Sequence, residues 1–226
     1  MSAEGDPLHL RVEAVGPLRA NAVLVVAGDD AVLIDPGGEA ERLLDMISAS
    51  GARLREIWLT HAHVDHLGAL QDVIDALGPL PVRMHPADAP LYRDAAIWAA
   101  GLGLTVPAPT VATTPLADGE ELRVGAVRAR CLHLPGHAPG HVVFAFDEAG
   151  VVIAGDTLFL GSIGRTDLPY GDEATLLAGI RDRLLVLPDA TRIVPGHGPA
   201  TTVGDERRSN PFLAGTGPAQ RSQPAR

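Results

Sequence analysis

A dense cluster of metal-binding residue types constrains this chain more than any other feature of its sequence. Three histidines and one aspartate fall within residues 61–66, in the segment Thr60-His61-Ala62-His63-Val64-Asp65-His66-Leu67-Gly68. Imidazole nitrogen and carboxylate oxygen are the usual protein ligands of Zn²⁺ and other borderline divalent ions. A lone His or Asp after a strand is usually a turn or surface residue, but so dense a group has little use in a solvated turn. The segment therefore predicts a metal site.

The backbone around this cluster indicates that it can serve two metal ions. The apolar run Ile57-Trp58-Leu59 directly before it is typical of a buried strand. Alternate side chains of an extended backbone point the same way, so His61 and His63 share one side. Asp65 and His66 follow where the chain turns into a helix, and we expect them to face a second, adjacent position.

Three more candidate ligands occur downstream, each just past a predicted strand and beside a glycine. They are His137 in Leu134-Pro135-Gly136-His137, Asp156 in Ala154-Gly155-Asp156-Thr157, and His197 in Pro195-Gly196-His197-Gly198. Glycine lets the backbone turn sharply and approach a site closely. Four strand ends would thus bring five histidines and two aspartates to one edge of the fold. That number suffices for two ions, with one aspartate bridging them.

The apolar spacing predicts strands and helices in both halves of the chain. In the first half we expect a hairpin of 23–27 and 31–35 around Gly28-Asp29-Asp30, and helices over 39–50, 67–77 and 87–100. In the second half we expect strands within 121–134 broken at Gly125, a hairpin of 142–146 and 151–154, a helix capped by Asp172, and a strand over 192–194. Because strands precede helices in each half, the pattern predicts a four-layer αββα sandwich. We expect one domain over residues 1–213 and a mobile tail over 214–226.

The amino-acid composition narrows the classes of molecule that the chain is expected to bind. Eighteen basic and 28 acidic residues give a net charge of −10, which argues against a nucleic-acid partner. The N-terminal residues lack a signal-peptide pattern, and no apolar run approaches the ~20 residues of a membrane helix. We therefore expect a cytoplasmic protein with a small-molecule substrate and no membrane partner. The oligomeric state is left open.

Several other reactive side chains favour structural interpretations. His9 and His85 have no partners in the sequence, and we expect surface or structural roles for them. His133 and His141 flank the candidate ligand at 137 and could compete for its role, but for both we expect either contacts behind the ligands or a packing role. Cys131, the single cysteine, is expected to be a small buried apolar residue, since cysteine metal sites normally use several.

The segment 161–170 follows the candidate ligand Asp156 closely. Arg165 within it has two open interpretations. Its guanidinium can bind a substrate carboxylate, or it can pair with Asp167 and shape the loop.

Together these motifs resemble the metallo-β-lactamase superfamily and, within it, the small glyoxalase II-like hydrolases. The resemblance is carried by T-H-x-H-x-D-H followed by P-G-H, G-D and G-H, and it runs over about residues 21–212. It implies the αββα fold. It also implies a ligand set: His61, His63 and His137 for the first metal, Asp65, His66 and His197 for the second, and Asp156 bridging both. Asp35, in Ile34-Asp35-Pro36-Gly37, is implied to hydrogen-bond a ligand.

The same resemblance implies thioester hydrolysis by two divalent ions, expected to be zinc, with iron or manganese as alternatives. Asp65 is expected to steer the proton of the bridging water, and a metal-bound water or the His197 region to assist the leaving group. The expected substrate is a small hydroxyacyl–thiol conjugate. Full-length glyoxalase II carries a helical C-terminal domain that helps hold glutathione. Only 29 residues (226 − 197) follow His197 here, so glutathione recognition is not implied.

Other functions found on this fold differ in the metal ligands, the number of metal ions and the surface charge that they require. A lactonase shares the same seven ligands, and a persulfide dioxygenase shares the first-metal ligands but uses one iron. A metallo-β-lactamase proper usually lacks the Asp65-His66 pair and is exported. A nuclease needs more positive charge, and a non-enzymatic binding module usually loses ligands. Thioester hydrolysis is the function that the sequence favours.

Overall fold

Two six-stranded β-sheets face each other in the part of the chain that the computed structural model describes, residues 8–213. The first sheet has the order β1-β2-β3-β4-β5-β6. Its strands are His9–Val15, Ala20–Ala27, Asp30–Ile34, Arg53–Trp58, Val82–Met84 and Thr113–Pro115. The first three strands pair antiparallel, and β3 to β6 pair parallel.

The second sheet has the order β14-β13-β10-β9-β8-β7. Its strands are Glu121–Val124 (β7), Val127–His133 (β8), Val142–Phe146 (β9), Val151–Gly155 (β10), Arg192–Pro195 (β13) and Thr201–Thr202 (β14). Strand β9 is antiparallel to both β8 and β10, and β10 is parallel to β13. Consequently β8, β10 and β13 all end at the same edge of this sheet. Leu158–Phe159 (β11) and Ser162–Ile163 (β12) form a separate small hairpin beyond that edge.

Helices cover the outer face of each sheet. They are Ala40–Ser48 (α1), Val64–Leu67 (α2), Leu70–Leu77 (α3), Ala89–Arg93 (α4), Ala95–Gly101 (α5), Glu173–Gly179 (α6) and Val203–Ser209 (α7). A π-helical turn, Ile180–Leu184, continues α6.

Three apolar layers hold these elements together, and they account for the four-layer order. Strand β2 shows the principle, since Leu24 packs in the layer beneath α1 and α3 while Val23 and Val25 pack between the two sheets. Phe144 and Phe146 of β9 complete the layer between the sheets. The third layer joins the outer face of the second sheet to α6 and the π-helical turn. The αββα sandwich predicted from the sequence is therefore confirmed.

Most of the predicted elements are present, and two helices differ from prediction. The predicted helix over 67–77 is wrong at its start, because the chain is already helical at Val64 and is interrupted between α2 and α3 at Gly68-Ala69. The predicted helix over 87–100 is also wrong, since it is divided into a 3-10 turn at Pro86–Asp88 followed by α4 and α5. Asp172 caps α6 as expected, accepting a hydrogen bond from the Thr175 amide.

The predicted tail over 214–226 lies outside the described residues. Within residues 8–213, no helix has the length and apolar character needed to cross a bilayer.

Candidate metal centre

Four strand ends meet at one edge of the sandwich and carry all the predicted ligands. The segment after β4 supplies His61 and His63, and α2 follows at once with Asp65 and His66. The loops after β8, β10 and β13 supply the other three, at positions 137, 156 and 197. Because β8, β10 and β13 run in the same direction, their ends deliver these side chains to one place.

The first group of ligand atoms comes from His61, His63 and His137. One ring nitrogen of each lies within 4.8 Å of the others. His63 Nδ1 and His137 Nε2 approach to 2.8 Å. The rings of His61 and His137 are essentially buried, so these nitrogens face an enclosed point rather than solvent.

The second group comes from Asp65, His66 and His197, whose ligand atoms also lie within 4.8 Å of one another. His197 Nε2 lies 3.2 Å from Asp65 Oδ2, and His66 Nε2 lies 3.8 Å from the same oxygen. His66 is fully buried, whereas the His197 side chain is 29% exposed. This second position therefore opens toward solvent on the His197 side.

The Asp156 carboxylate lies between the two groups. Its Oδ1 is 3.4 Å from His66 Nε2, and its Oδ2 is 3.5 Å from His137 Nε2 and 3.6 Å from His197 Nε2. These separations exceed a good N–H···O hydrogen bond. They match the roughly 3.3 Å edge of a tetrahedron whose ligands lie about 2.0 Å from a central zinc ion. Asp156 is placed to contribute to both groups.

The outward-facing nitrogens of three histidines fix which ring atom points inward. His66 Nδ1 donates to Asp35 Oδ2 at 2.9 Å, and His137 Nδ1 donates to the Arg165 carbonyl at 2.7 Å. His61 Nδ1 lies 3.0 Å from the Thr60 hydroxyl, which itself donates to Asp35 Oδ2. With the proton on Nδ1, the Nε2 lone pair of each ring faces the site. This arrangement is characteristic of metal-binding histidine.

Three buried polar atoms at the centre lack hydrogen-bond partners. They are His61 Nε2, His66 Nε2 and Asp156 Oδ1. Leaving a buried polar atom unpaired costs on the order of 1–3 kcal/mol, and more for a charged group. All three atoms are electron-pair donors that converge on the two groups. The residues present therefore fit two divalent cations.

The pKa shifts of these residues show how charge is distributed in the site. Burial lowers the pKa of His61 well below its usual value, and burial together with His137 lowers the pKa of His63 to about 3. Although burial alone would favour the acid form, His66 keeps the pKa of the Asp156 carboxyl below its usual range. Burial likewise opposes the charged form of His66, yet Asp156 and Asp65 raise its pKa well above the ordinary value. The region around Asp156 thus attracts positive charge.

Asp35 supports the ligand segment from behind. Besides His66, its carboxylate accepts hydrogen bonds from the Thr60 amide at 2.8 Å and the Thr60 hydroxyl at 2.6 Å. The residue itself adopts the left-handed conformation, with φ at +53°. A non-glycine residue there stores on the order of 1–3 kcal/mol of strain. The hydrogen bonds to Thr60 and His66 hold it in place.

Asp88 is a supporting residue that sequence reasoning missed. It is fully buried, and its two carboxylate oxygens accept from the Ala62 amide at 2.9 Å and the Gly140 amide at 2.5 Å. Burial raises the pKa of Asp88 to about 6. The side chain thereby joins the segment that carries the first two histidines to the loop after His137. No motif signals this role, because both of its partners are backbone groups.

The remaining histidines lie where they cannot replace a ligand. His141 Nε2 accepts from the Asp156 amide at 3.0 Å, and its ring stacks on His61 with centroids 4.8 Å apart. His133 instead stacks on His85, with centroids 4.0 Å apart. His9 is exposed on β1.

Arg165 lies in the wall of a cleft in front of the site. Its guanidinium is held by Asp167, with Nε–Oδ1 at 2.7 Å and Nη2–Oδ2 at 2.8 Å. The arginine side chain is 61% exposed. The charge pair within the loop is therefore present, and the substrate-binding role of Arg165 stays a prediction.

Comparison with known proteins identifies the family. The family model described as the metallo-beta-lactamase superfamily matches residues 15–197, which include all seven ligand-type residues. The chain belongs to the metallo-β-lactamase superfamily. It is accordingly a metallo-hydrolase with a histidine and aspartate centre suited to divalent metal ions.

Members of this superfamily that resemble the chain include one curated relative and two solved structures. The hydroxyacylglutathione hydrolase GloC of Haemophilus influenzae is 42% identical over 212 residues, covering 91% of this chain and 98% of GloC. The crystal structure of TTHA1623 in a di-iron-bound form is 49% identical with a TM-score of 0.84, covering 90% of this chain and 100% of that one. The BLEG-1 B3 metallo-beta-lactamase structure is 38% identical with a TM-score of 0.86, covering 92% and 100%.

Proposed function

We propose that this protein is a dinuclear metal-dependent thioesterase that hydrolyses conjugates of small hydroxyacyl groups with thiols. The observation that carries the proposal is the placement of the Asp156 carboxylate, which faces both ligand groups at 3.4 to 3.6 Å. The first group would hold one ion and the second group the other. Zinc is the proposed ion, with iron and manganese as alternatives that the same ligands accept.

Two divalent ions held by these residues would supply a water nucleophile at neutral pH and would polarise the acyl carbonyl. The chain has to hold those ions apart, orient the substrate and move protons. Asp65 is suited to the last task. Although burial would raise its pKa, His66 and His197 lower it, so Asp65 is a carboxylate at neutral pH. Its Oδ2 lies 3.2 Å from His197 Nε2, so a proton accepted by Asp65 is held at the more exposed, His197 side of the site.

Nucleophilic catalysis by a side chain has no support in the cleft. Among the described residues that line it, Ser162 is the only one with a hydroxyl or thiol side chain. Its Oγ faces the Ile163 carbonyl at 3.5 Å rather than an imidazole base. An attacking water is therefore the better source of the nucleophile. A thiolate leaving group needs little acid assistance, which suits a site whose proposed proton sources are a metal-bound water and the His197 region.

The relatives support the proposal to different degrees. GloC carries the name of a thioester hydrolase, and TTHA1623 was crystallised with two irons. The name of BLEG-1 points instead to β-lactam hydrolysis. A β-lactam ring and a thioester both present an activated acyl carbonyl, so both have to be measured.

The test is a substrate panel with the zinc-loaded protein. We expect release of thiol from lactoyl thioesters, and turnover of a lactone, a persulfide and a β-lactam at least tenfold lower in kcat/KM, a difference of ~1.4 kcal/mol in transition-state stabilisation. Asp156→Ala should abolish the thioester activity, whereas Asp72→Ala, on an exposed part of α3, should retain it. Turnover of any other panel member without thioester hydrolysis would overturn the proposal.

A further inference from the structure

The cleft in front of the metal centre has walls that the metal chemistry does not use. It encloses about 680 Å³. Beyond the ligands, its walls are mainly apolar: Leu18, Leu91, Trp98, Leu102, Phe159 and Leu168. Contiguous apolar surface left open on a folded domain marks a binding site more often than chance.

These apolar side chains come from separate elements and surround the open side of the site. Trp98 lies in the middle of α5 and Leu102 at its C-cap, and their side chains are 38% and 62% exposed. Leu18 lies in the turn between β1 and β2 and is 48% exposed. On the opposite side, Phe159 of β11 packs edge-on against His197, with ring centroids 6.3 Å apart. An apolar group that entered this space would lie next to the more exposed of the two ligand groups.

Beyond the two ligand groups, the described walls of the cleft offer no uncommitted arginine to an anionic thiol carrier. All 18 basic residues of the chain are arginine, and Arg165 is the only arginine among the described cleft walls. Its guanidinium already makes two hydrogen bonds to Asp167. Arg19 follows Leu18 in the chain but does not line the cleft. A thiol carrier with several carboxylates or phosphates would therefore lose hydration without gaining an ion pair.

We propose that this cleft binds an uncharged, apolar thiol portion of the substrate, seated against Trp98, and that anionic thiol carriers are poor substrates. The inference rests on the proposed thioesterase function and deepens it. The inference also predicts a thiol preference that differs from the one indicated by the name of GloC. Glutathione carries two carboxylates, and the side chains of these cleft walls do not neutralise them. Trp98 is not one of the residues whose ligand atoms converge on the metal centre, so its contribution is to binding.

The first test compares thioesters with one acyl group and different thiols. Lactoyl thioesters of benzyl mercaptan, glutathione and coenzyme A would be assayed for kcat and KM with the zinc-loaded protein. We expect kcat/KM for the benzyl compound to exceed that for the two anionic compounds by roughly tenfold or more, given the apolar area that a benzyl group can bury. Equal or higher kcat/KM for glutathione or coenzyme A would overturn the inference and leave the thioesterase proposal intact.

A matched pair of variants tests the role of Trp98. Trp98→Ala should raise KM for the benzyl thioester roughly tenfold and leave kcat almost unchanged, which removes the preference. Ile97→Ala is the control, since Ile97 neighbours Trp98 on α5 and is 73% exposed but does not line the cleft. It should keep the wild-type preference. If the Trp98→Ala enzyme still prefers the benzyl thioester, the thiol portion does not pack against Trp98 as proposed.

A binding measurement separates the failure of this inference from the failure of the proposed function. The chain has two tryptophans, and Trp58 is fully buried, so exposed-tryptophan fluorescence reports on Trp98. The benzyl thioether analogue, which cannot be hydrolysed, should change that fluorescence at lower concentration than its glutathione counterpart. If the benzyl analogue binds more tightly but no thioester is hydrolysed, the assignment of the cleft is supported and the thioesterase proposal is wrong. If the glutathione analogue binds equally well, the inference fails.

Discussion

Asp156 is the residue that lies between the two groups of candidate ligands. It lies within 3.6 Å of histidine nitrogens from both groups, while Asp65 contacts the second group alone. The two carboxylates are chemically identical and differ only in position. Substituting each in turn therefore tests the assignment of ligands.

We expect Asp156→Ala to lose bound metal at both positions and all activity. Asp65→Ala should weaken mainly the second position and retain about one ion per chain, because the three histidines of the first group remain. Elemental analysis after gel filtration measures this, with Asp72→Ala as the control. Equal and mild losses in the Asp156 and Asp65 variants would contradict the assignment.

Asp88 gives a prediction about stability rather than activity. In Asp88→Asn the amide NH2 has to face one of the two backbone N–H donors, at Ala62 or Gly140, which leaves that buried donor unpaired. The expected loss in the free energy of unfolding is about 1–3 kcal/mol. Asp94→Asn, which removes only an exposed ion pair with Arg93, should lose less than about 1 kcal/mol. Equal denaturation midpoints for the two variants would show that Asp88 does not join the loops.

Sequence reasoning reached the residues of the candidate centre at this scale because each has a local signature. A strand end, a glycine and an imidazole or carboxylate recur together at His137, Asp156 and His197. Asp88 has no such signature, since its partners are backbone amides that are distant in sequence and become neighbours only in the fold. The pairing of Arg165 with Asp167 was one of two open interpretations, and residue types alone could not choose between them.

At the scale of elements, the approach of the loop after β3 to helix α2 positions the second ligand group. Gly37 lies so close that a Cβ built on it would be 1.8 Å from the Asp65 carbonyl oxygen. Gly68, at the other end of α2, is similarly close to the Gly37 carbonyl. This backbone contact sets the position of α2 and therefore the position of the Asp65 and His66 side chains in the site.

We predict that Gly37→Ala displaces α2 and lowers both stability and metal content. The expected loss in the free energy of unfolding is on the order of 1–3 kcal/mol, as for other overpacked sites. Gly101→Ala is the matched control, because nothing lies within 4 Å of its added Cβ and it belongs to helix α5. Chemical denaturation and elemental analysis of both variants measure the effect. If Gly37→Ala and Gly101→Ala had the same free energy of unfolding and the same metal content, the close approach would not be what positions α2.

Elements with strong apolar periodicity were predictable, and short or partly exposed ones were not. The hairpins around Gly28 and Gly150 are present because long apolar runs flank clear turn residues. Strands β5 and β6 have only three residues each, which is too short for alternation to be read. The break between α4 and α5 at Asp94 was missed because apolar spacing continues across it. Neighbours in three dimensions, rather than local sequence, decide such boundaries.

At the scale of the whole molecule, the layer between the two sheets is closed to solvent. Cys131 of β8 lies in it with no exposed surface. Burial, together with the charges of Glu120 and Asp118, raises the pKa of its thiol to about 12. The thiolate is the reactive form, so a buried thiol with so high a pKa is unreactive at pH 8.

We therefore predict no reaction of native protein with 5,5′-dithiobis(2-nitrobenzoate) at pH 8 over the time of an activity assay. One thiol per chain should react in guanidinium chloride, because unfolding exposes the layer. Rapid stoichiometric reaction of the native protein would show that the two sheets do not close on each other as described.

The metal content of the whole chain tests the central claim most directly. Protein reconstituted with zinc and freed of excess metal should contain about two ions per chain, as expected for a two-metal hydrolase site. Removal by a chelator should abolish activity and lower the melting temperature, and re-addition should restore both. Inductively coupled plasma mass spectrometry against a protein concentration from amino-acid analysis gives the ratio. A ratio near two supports a dinuclear centre bridged by Asp156, whereas a ratio at or below one after reconstitution would contradict it.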